Sequence, residues 1–181
     1  AGKTVGIVGI GLIGSRVAEL AKAFNMRVIA TKGNPSTYDG PADEVTGADG
    51  LHDLLRESDY VVLTCPLTDE TAGMINSRTL GLMKKSAFLV NVARGGCVVD
   101  DDLVSALKSG GIAGAALDHF NEEPLGTDSP YWDLDNVILT SHVSALSPEL
   151  YEGRRQIFRD NLRRFISGEP LQYVCDKELG Y

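Results

Sequence analysis

The stretch TVGIVGIGLIGSRVAELAKAF, residues 4–24, constrains the fold more than any other part of the chain. A run of strand type leads straight into Gly9, Gly11 and Gly14, spaced as G-x-G-x-x-G, and an amphipathic helix follows. Alone the pattern is weak, because glycines also mark ordinary turns. Set between a strand and a helix, with a second strand ending near Thr31, it describes a βαβ unit whose turn can hold phosphates. Gly9 allows the tight turn, Gly11 lets a pyrophosphate approach the backbone, and Gly14 permits close helix–strand packing. The helix N-terminus offers free N–H groups, mainly those of Leu12 and Ile13, and the positive end of its dipole. The competing reading is a structural turn without a ligand; the context favours a dinucleotide.

The same alternation continues along the chain. Strand-like runs lie at Thr4–Val8, Val28–Ala30, Tyr60–Thr64, Phe88–Asn91, Ile112–Leu117 and Val137–Thr140. Several are apolar at consecutive positions, as in strands covered on both faces. Helical patterns occupy Ile13–Phe24, Leu51–Glu57, Ser77–Met83 and Asp101–Lys108. Strand then helix, repeated, means crossover units. The expected class is α/β: a Rossmann-type doubly wound parallel sheet with helices on both faces. A last helix is predicted from Pro148 to Ser167, with Ser147 as N-cap, Pro148 at its first position, and Gly168 and Pro170 as its stop. Leu150, Ile157, Leu162, Phe165 and Ile166 recur on one face and are expected to be buried. The segment GNPSTYDGPADEVTGADG, dense in breakers, reads as a loop. The organisation expected is a dinucleotide-binding domain over residues 1–168 and a tail, 169–181, whose apolar residues want a partner.

The glycine loop makes Lys32 informative. An NAD site usually places Asp or Glu about 20 residues beyond the glycines, where it accepts from the ribose 2′-OH. At the end of the RVIAT strand this chain has lysine instead. A carboxylate repels a 2′-phosphate and an ammonium attracts one, so NADP(H) is favoured and NAD(H) remains the alternative. Ser36 and the N–H groups of the Gly33–Asn34 turn could add donors. The bland reading makes Lys32 a solvated loop residue.

Composition excludes several function classes. A net charge of −8 argues against general nucleic-acid affinity. No apolar run approaches the roughly 20 residues that span a bilayer, and no secretory leader opens the sequence. Neither a nucleic-acid nor a membrane partner is therefore expected. Cys65, Cys97 and Cys175 are far apart, without CxxC or Cys/His spacing, so buried reduced thiols in a cytoplasmic compartment are expected, and no metal site. A chain that begins AGKTVGIVG, almost inside a strand, reads as a piece of a longer protein.

Five segments together resemble a known family. VGIVGIGLIG, VVLTCPLTDETAGMI, FLVNVARGGCVVDDDLVSAL, GIAGAALDHFNEEPL and VILTSHVSA follow one another as in the D-2-hydroxyacid dehydrogenases, which include glyoxylate/hydroxypyruvate reductases and phosphoglycerate dehydrogenases. The resemblance runs over nearly the whole chain but over only part of the family's protein. Members build a substrate-binding domain from residues preceding the glycine loop together with a C-terminal stretch, so the tail is expected to return to such a domain.

This resemblance implies a 2-oxo acid reductase with a catalytic set of Arg94, Glu123 and His142. Arg94 would bind the carboxylate and 2-oxo group of the substrate, for which a permanently charged, multi-donor guanidinium is suited. His142 would give a proton to the forming alkoxide, since an ordinary imidazole titrates near working pH. Glu123 would pair with that imidazole and orient it. Cofactor contacts would fall on Leu12 and Ile13 at the phosphates and on Pro66 and Thr71 beside the adenosine. Val92, Ala93 and Arg94 would lie along the nicotinamide riboside, Asp118 would hold the carboxamide, and His142, Ser144 and Ala145 would close the site. His52 and His119 keep structural readings, and Glu122 reads as an exposed neighbour. The Glu before Pro124 disfavours the formate-dehydrogenase branch, which lacks that acid. Relatives usually form homodimers through this domain. The rival from another class is a dinucleotide-sensing protein like the family's transcriptional corepressors, which retain the triad.

Overall fold

A computed structural model of the chain describes residues 2–177. Ala1 and the last four residues of the expected tail lie outside that range. The chain divides into two compact units, Ala1–Ser141 and His142–Tyr181.

The first unit is a sheet of seven parallel strands. They are β1 (Thr4–Val8), β2 (Arg27–Thr31), β3 (Glu44–Thr46), β4 (Tyr60–Leu63), β5 (Phe88–Asn91), β6 (Gly114–Leu117) and β7 (Val137–Leu139), in the spatial order 3-2-1-4-5-6-7. Four helices lie between them: α1 (Leu12–Ala23), α2 (Leu51–Glu57), α3 (Ser77–Leu80) and α4 (Asp100–Lys108). This is the expected doubly wound Rossmann-type arrangement.

Two-sided burial follows from the strand sequences. On β4, Val61 and Leu63 belong to one core with Leu54 and Leu55 of α2 and Leu103 and Leu107 of α4. Val62, between them, belongs to a second core with Val5 and Ile7 of β1 and Ala18 and Ala21 of α1. A period of two thus sends successive apolar residues to opposite faces, and both faces are covered. Ile7, Leu63 and Leu89 are completely buried, each worth about 1.5–3 kcal/mol.

Three expectations about local structure are corrected. The segment read as a loop contains β3, whose main chain joins β2 through the register Ile29 to Glu44, Ala30 to Val45 and Thr31 to Thr46. Cys65 and Cys97 are buried free thiols, but Cys175 is exposed. The third concerns the second unit. Its helix, α5, spans Pro148–Ser167, capped by the Ser147 hydroxyl, which accepts from Leu150 N at 3.2 Å, and stopped by Gly168 at φ +69°. The expected buried stripe is absent: α5 holds no buried residue, and Phe165 and Ile166 are 74% and 76% exposed. Helical spacing says which side is apolar; it does not supply the surface that covers it. Among the described residues no helix is long and apolar enough to cross a membrane.

Candidate functional site

β1 lies between β2 and β4, so successive connections leave it in opposite directions, the switch point beyond whose carboxyl end open α/β sheets bind ligands. The glycine turn occupies that point. Gly9 has φ +91°, and a Cβ there would lie 2.6 Å from the Cys65 Cα, so both conformation and space demand glycine. The turn is held from both sides: Gly9 N and Ile10 N donate to the Thr31 carbonyl, and the Thr64 hydroxyl donates to the Gly9 carbonyl at 2.8 Å. Gly14 packs tightly, its missing Cβ only 2.8 Å from the Gly9 oxygen. Gly11 is the opposite case, with no atom within 4 Å of a Cβ placed on it. The first turn of α1 has no side-chain cap and no acidic residue, and Leu12 and Ile13 are exposed. Unclaimed donors, a positive dipole end and open space beside Gly11 fit a pyrophosphate.

Lys32 follows β2. Its Nζ lies 3.5 Å from the Ile10 carbonyl, against the glycine turn, and among the described residues no carboxylate pairs with it. Its main-chain N–H donates to Thr46 O of β3 at 2.9 Å, which fixes where the side chain starts. The Ser36 hydroxyl donates to Asn34 Oδ1 at 2.7 Å, so part of that group's capacity is already engaged.

The loops after β4 and β5 are built around two polar residues. Thr71 accepts from Thr68 N at 2.8 Å and donates to Pro66 O at 2.7 Å, bracing the loop that begins at Pro66. Asn91, 1% exposed, holds the other loop. Its Oδ1 accepts from Ala93 N at 3.0 Å and its Nδ2 donates to the Arg94 carbonyl at 2.9 Å. These bonds set Val92 and Ala93 and leave the Arg94 side chain exposed, with Nη1 donating to Ala93 O at 2.7 Å. The sequence reading gave Asn91 no role. Its signal is a polar side chain closing an apolar strand, FLVN. Gly95 makes the next contact possible: a Cβ there would lie 2.0 Å from the Phe120 carbonyl carbon, so this loop rests on the one after β6. Buried Cys97 follows, and its thiol is shifted toward the thiolate by the neighbouring Cys65 thiol, the Arg94 backbone N–H and the Thr71 hydroxyl.

After β6 come Asp118 and His119, 3% and 5% exposed. Asp118 Oδ1 accepts from the Thr140 hydroxyl at 2.5 Å, and Oδ2 lies 3.6 Å from His119 Nδ1. Glu123 is exposed, and its Oε1 accepts from Phe120 N at 3.1 Å. Glu122 is exposed beside it. The first unit therefore gathers the glycine turn, Lys32, Pro66, Thr71, Val92–Arg94, Asp118 and Glu123 beyond the carboxyl ends of β1, β2, β4, β5 and β6. His142, Ser144 and Ala145 belong to the second unit and are exposed. His142 holds φ +56°, a left-handed conformation uncommon for a residue with a side chain.

Residues 1–144 match the family model described as D-isomer specific 2-hydroxyacid dehydrogenase, NAD binding domain. The chain belongs to this family. Among curated relatives, a glyoxylate reductase of Pyrococcus horikoshii is 46% identical over 180 residues, covering 98% of this chain and 53% of its own length. That of Pyrococcus furiosus is 44% identical, with 98% and 52% covered. The chain thus spans about half the length of these 2-hydroxyacid dehydrogenases. Among solved structures, an NADPH-dependent glyoxylate/hydroxypyruvate reductase of Sinorhizobium meliloti, in complex with NADP and sulfate, superposes with a TM-score of 0.90 at 34% identity over 99% of this chain and 57% of that one. A D-isomer specific 2-hydroxyacid dehydrogenase of Xanthobacter autotrophicus, in complex with NADPH and MES, gives 0.90 at 34% identity, with 99% and 73% covered. The corepressor reading finds no support among these relatives.

Proposed function

We propose that this chain is the dinucleotide-binding part of an NADP(H)-preferring oxidoreductase that reduces a small 2-oxo acid to the D-2-hydroxy acid. The observation that carries the reading is the shared edge. A phosphate-ready glycine turn, an ammonium with no carboxylate partner among the described residues, a guanidinium and a buried carboxylate all follow the carboxyl ends of neighbouring strands. In open α/β sheets that edge is where ligands bind.

The roles follow from each side chain's chemistry and from the family. The Leu12 and Ile13 N–H groups receive the pyrophosphate, and Lys32 receives the 2′-phosphate. Asp118 accepts from the carboxamide. When bound, the nicotinamide supplies the hydride that reduces the carbonyl carbon. Arg94 binds the substrate carboxylate and fixes the carbonyl beside it. His142 gives its proton to the oxygen as that oxygen becomes an alkoxide, so the product leaves as a neutral alcohol. Glu123 orients the imidazole. The preference for NADP(H) over NAD(H) is supported by Lys32 and by the NADPH dependence of the Sinorhizobium meliloti enzyme. The relatives' names point to glyoxylate and hydroxypyruvate as first substrates. A homodimer in a reducing, cytoplasmic compartment completes the proposal; the free thiols support the compartment.

The test is a panel of 2-oxo acids assayed with NADPH and NADH, using the whole gene product. Oxidation of NADPH with glyoxylate or hydroxypyruvate is expected, and no turnover with any 2-oxo acid would overturn the reading. In the same protein His142→Ala should lower kcat by about a hundredfold or more while NADPH affinity stays nearly unchanged; near-normal kcat would remove the proton-donor role. Light scattering on that protein reads the homodimer.

A further inference from the structure

Beyond the roles above, the structure holds a buried histidine that no role accounts for. His119 follows Asp118 at the carboxyl end of β6, and its side chain is only 4% exposed. An ordinary surface histidine needs no explanation; one enclosed beside a carboxylate does. Asp118 is itself 3% exposed, and removing a carboxylate from water is costly unless both oxygens find polar partners. One oxygen has the Thr140 hydroxyl at 2.5 Å. The other faces His119 Nδ1 at 3.6 Å, an electrostatic contact rather than a tight hydrogen bond. The main chain fixes the geometry from below: Asp118 N donates to Asn91 O, and Thr140 N donates to Leu117 O, both at 3.0 Å. Thr140, Asp118 and His119 thus form a short polar row across the ends of β6 and β7.

We propose that His119 is a positioning residue for the nicotinamide end of the cofactor, acting through Asp118. With Thr140 on one oxygen and the imidazole near the other, the carboxylate is held in one orientation. It can then accept from an amide N–H without reorganising. The inference rests on the proposed dinucleotide site, and it concerns only the carboxamide end of that site. His119→Val removes the polar edge from beside Oδ2. His119→Asn keeps a polar nitrogen near the Nδ1 position on a shorter side chain.

Two ligands separate this role from a general effect on folding. NADPH carries the carboxamide, and adenosine 2′,5′-bisphosphate carries the 2′-phosphate without any nicotinamide. Binding of each is measured by fluorescence or calorimetric titration, with thermal unfolding recorded for every variant. For His119→Val, NADPH affinity is expected to fall about tenfold while bisphosphate affinity stays at the wild-type value, and His119→Asn should recover most of the loss. Unchanged NADPH affinity in His119→Val would overturn the inference. So would an equal loss for both ligands, which marks a structural residue, or a failure of Asn to recover binding in a folded protein. A wild-type chain that takes up neither ligand would overturn the dinucleotide reading first and this inference with it. That outcome is distinct from a variant-specific result.

Discussion

On the proposed reading, cofactor choice turns on one residue. The Lys32 ammonium sits 3.5 Å from the Ile10 carbonyl, so its charge stands beside the glycine turn proposed to receive the phosphates. Replacing it with aspartate reverses the charge at a fixed place, because the Lys32 main chain stays tied to Thr46. At an effective dielectric near 20, two unit charges 4 Å apart interact by about 4 kcal/mol, and solvent screening reduces this further. Lys32→Asp is accordingly expected to weaken NADPH binding by at least about tenfold and to shift preference toward NADH, read by paired titrations. Equal affinities before and after would remove the account of Lys32. This residue was legible in sequence because its position is counted from the glycines along one βαβ unit. Asn91 was not: its two bonds go to Ala93 and Arg94 in a loop whose path exists only after folding. His119 escaped for a related reason, since only its burial beside Asp118 distinguishes it from a surface histidine.

At the scale of elements, local signals placed the helices and strands, and tertiary context decided what they touch. Six of the seven strands were legible because apolar runs stood between turn residues. β3 was not, since Glu44–Thr46 is three residues long and sits among breakers. Its pairing depends on the backbone of β2, which no local pattern reveals. α5 shows the same division. Its start and stop were read correctly from Ser147, Pro148 and Gly168, while the burial of its apolar side was not. The cap gives a direct check. The Ser147 hydroxyl satisfies one otherwise unpaired N–H of the first turn, and it also helps keep the fully exposed Glu149 carboxyl below its usual range, after the backbone contribution. Ser147→Ala should destabilise this helix by about 1 kcal/mol. Amide exchange in the first turn of α5 should then quicken by about fivefold, with exchange in the first unit unchanged. Unaltered exchange at Leu150 would show that the cap contributes nothing.

Across the whole molecule the two edges of the sheet do different work. The carboxyl edge carries the proposed ligand site, whereas the amino edge is tied by charge. Asp59, just before β4, is 8% exposed. Its Oδ2 accepts from Thr4 N at the start of β1, and its Oδ1 accepts from Lys3 Nζ, both at 2.9 Å. Lys84 lies 3.5 Å away, and the Asp59 carbonyl accepts from Phe88 N at the head of β5. One residue therefore ties the heads of three neighbouring strands, β1 through its carboxylate and β5 through its main-chain carbonyl. The Thr4 N–H, followed by the Lys3 ammonium, holds its carboxyl below the ordinary range. A folded-state pKa below the unfolded one means that the stabilisation is present above about pH 4 and is lost as pH falls through the folded value. Asp59→Ala should cost about 2 kcal/mol near neutral pH, the usual scale for removing a charged hydrogen-bond partner from a largely buried place. The gap between wild type and variant should narrow when urea midpoints are compared at about pH 7 and about pH 3. NADPH affinity should be unmoved in the folded variant, because the substitution lies at the edge opposite the glycine turn. A variant as stable as wild type at neutral pH would refute the staple. A constant gap at both pH values would instead assign its effect to packing rather than to the ionised carboxylate.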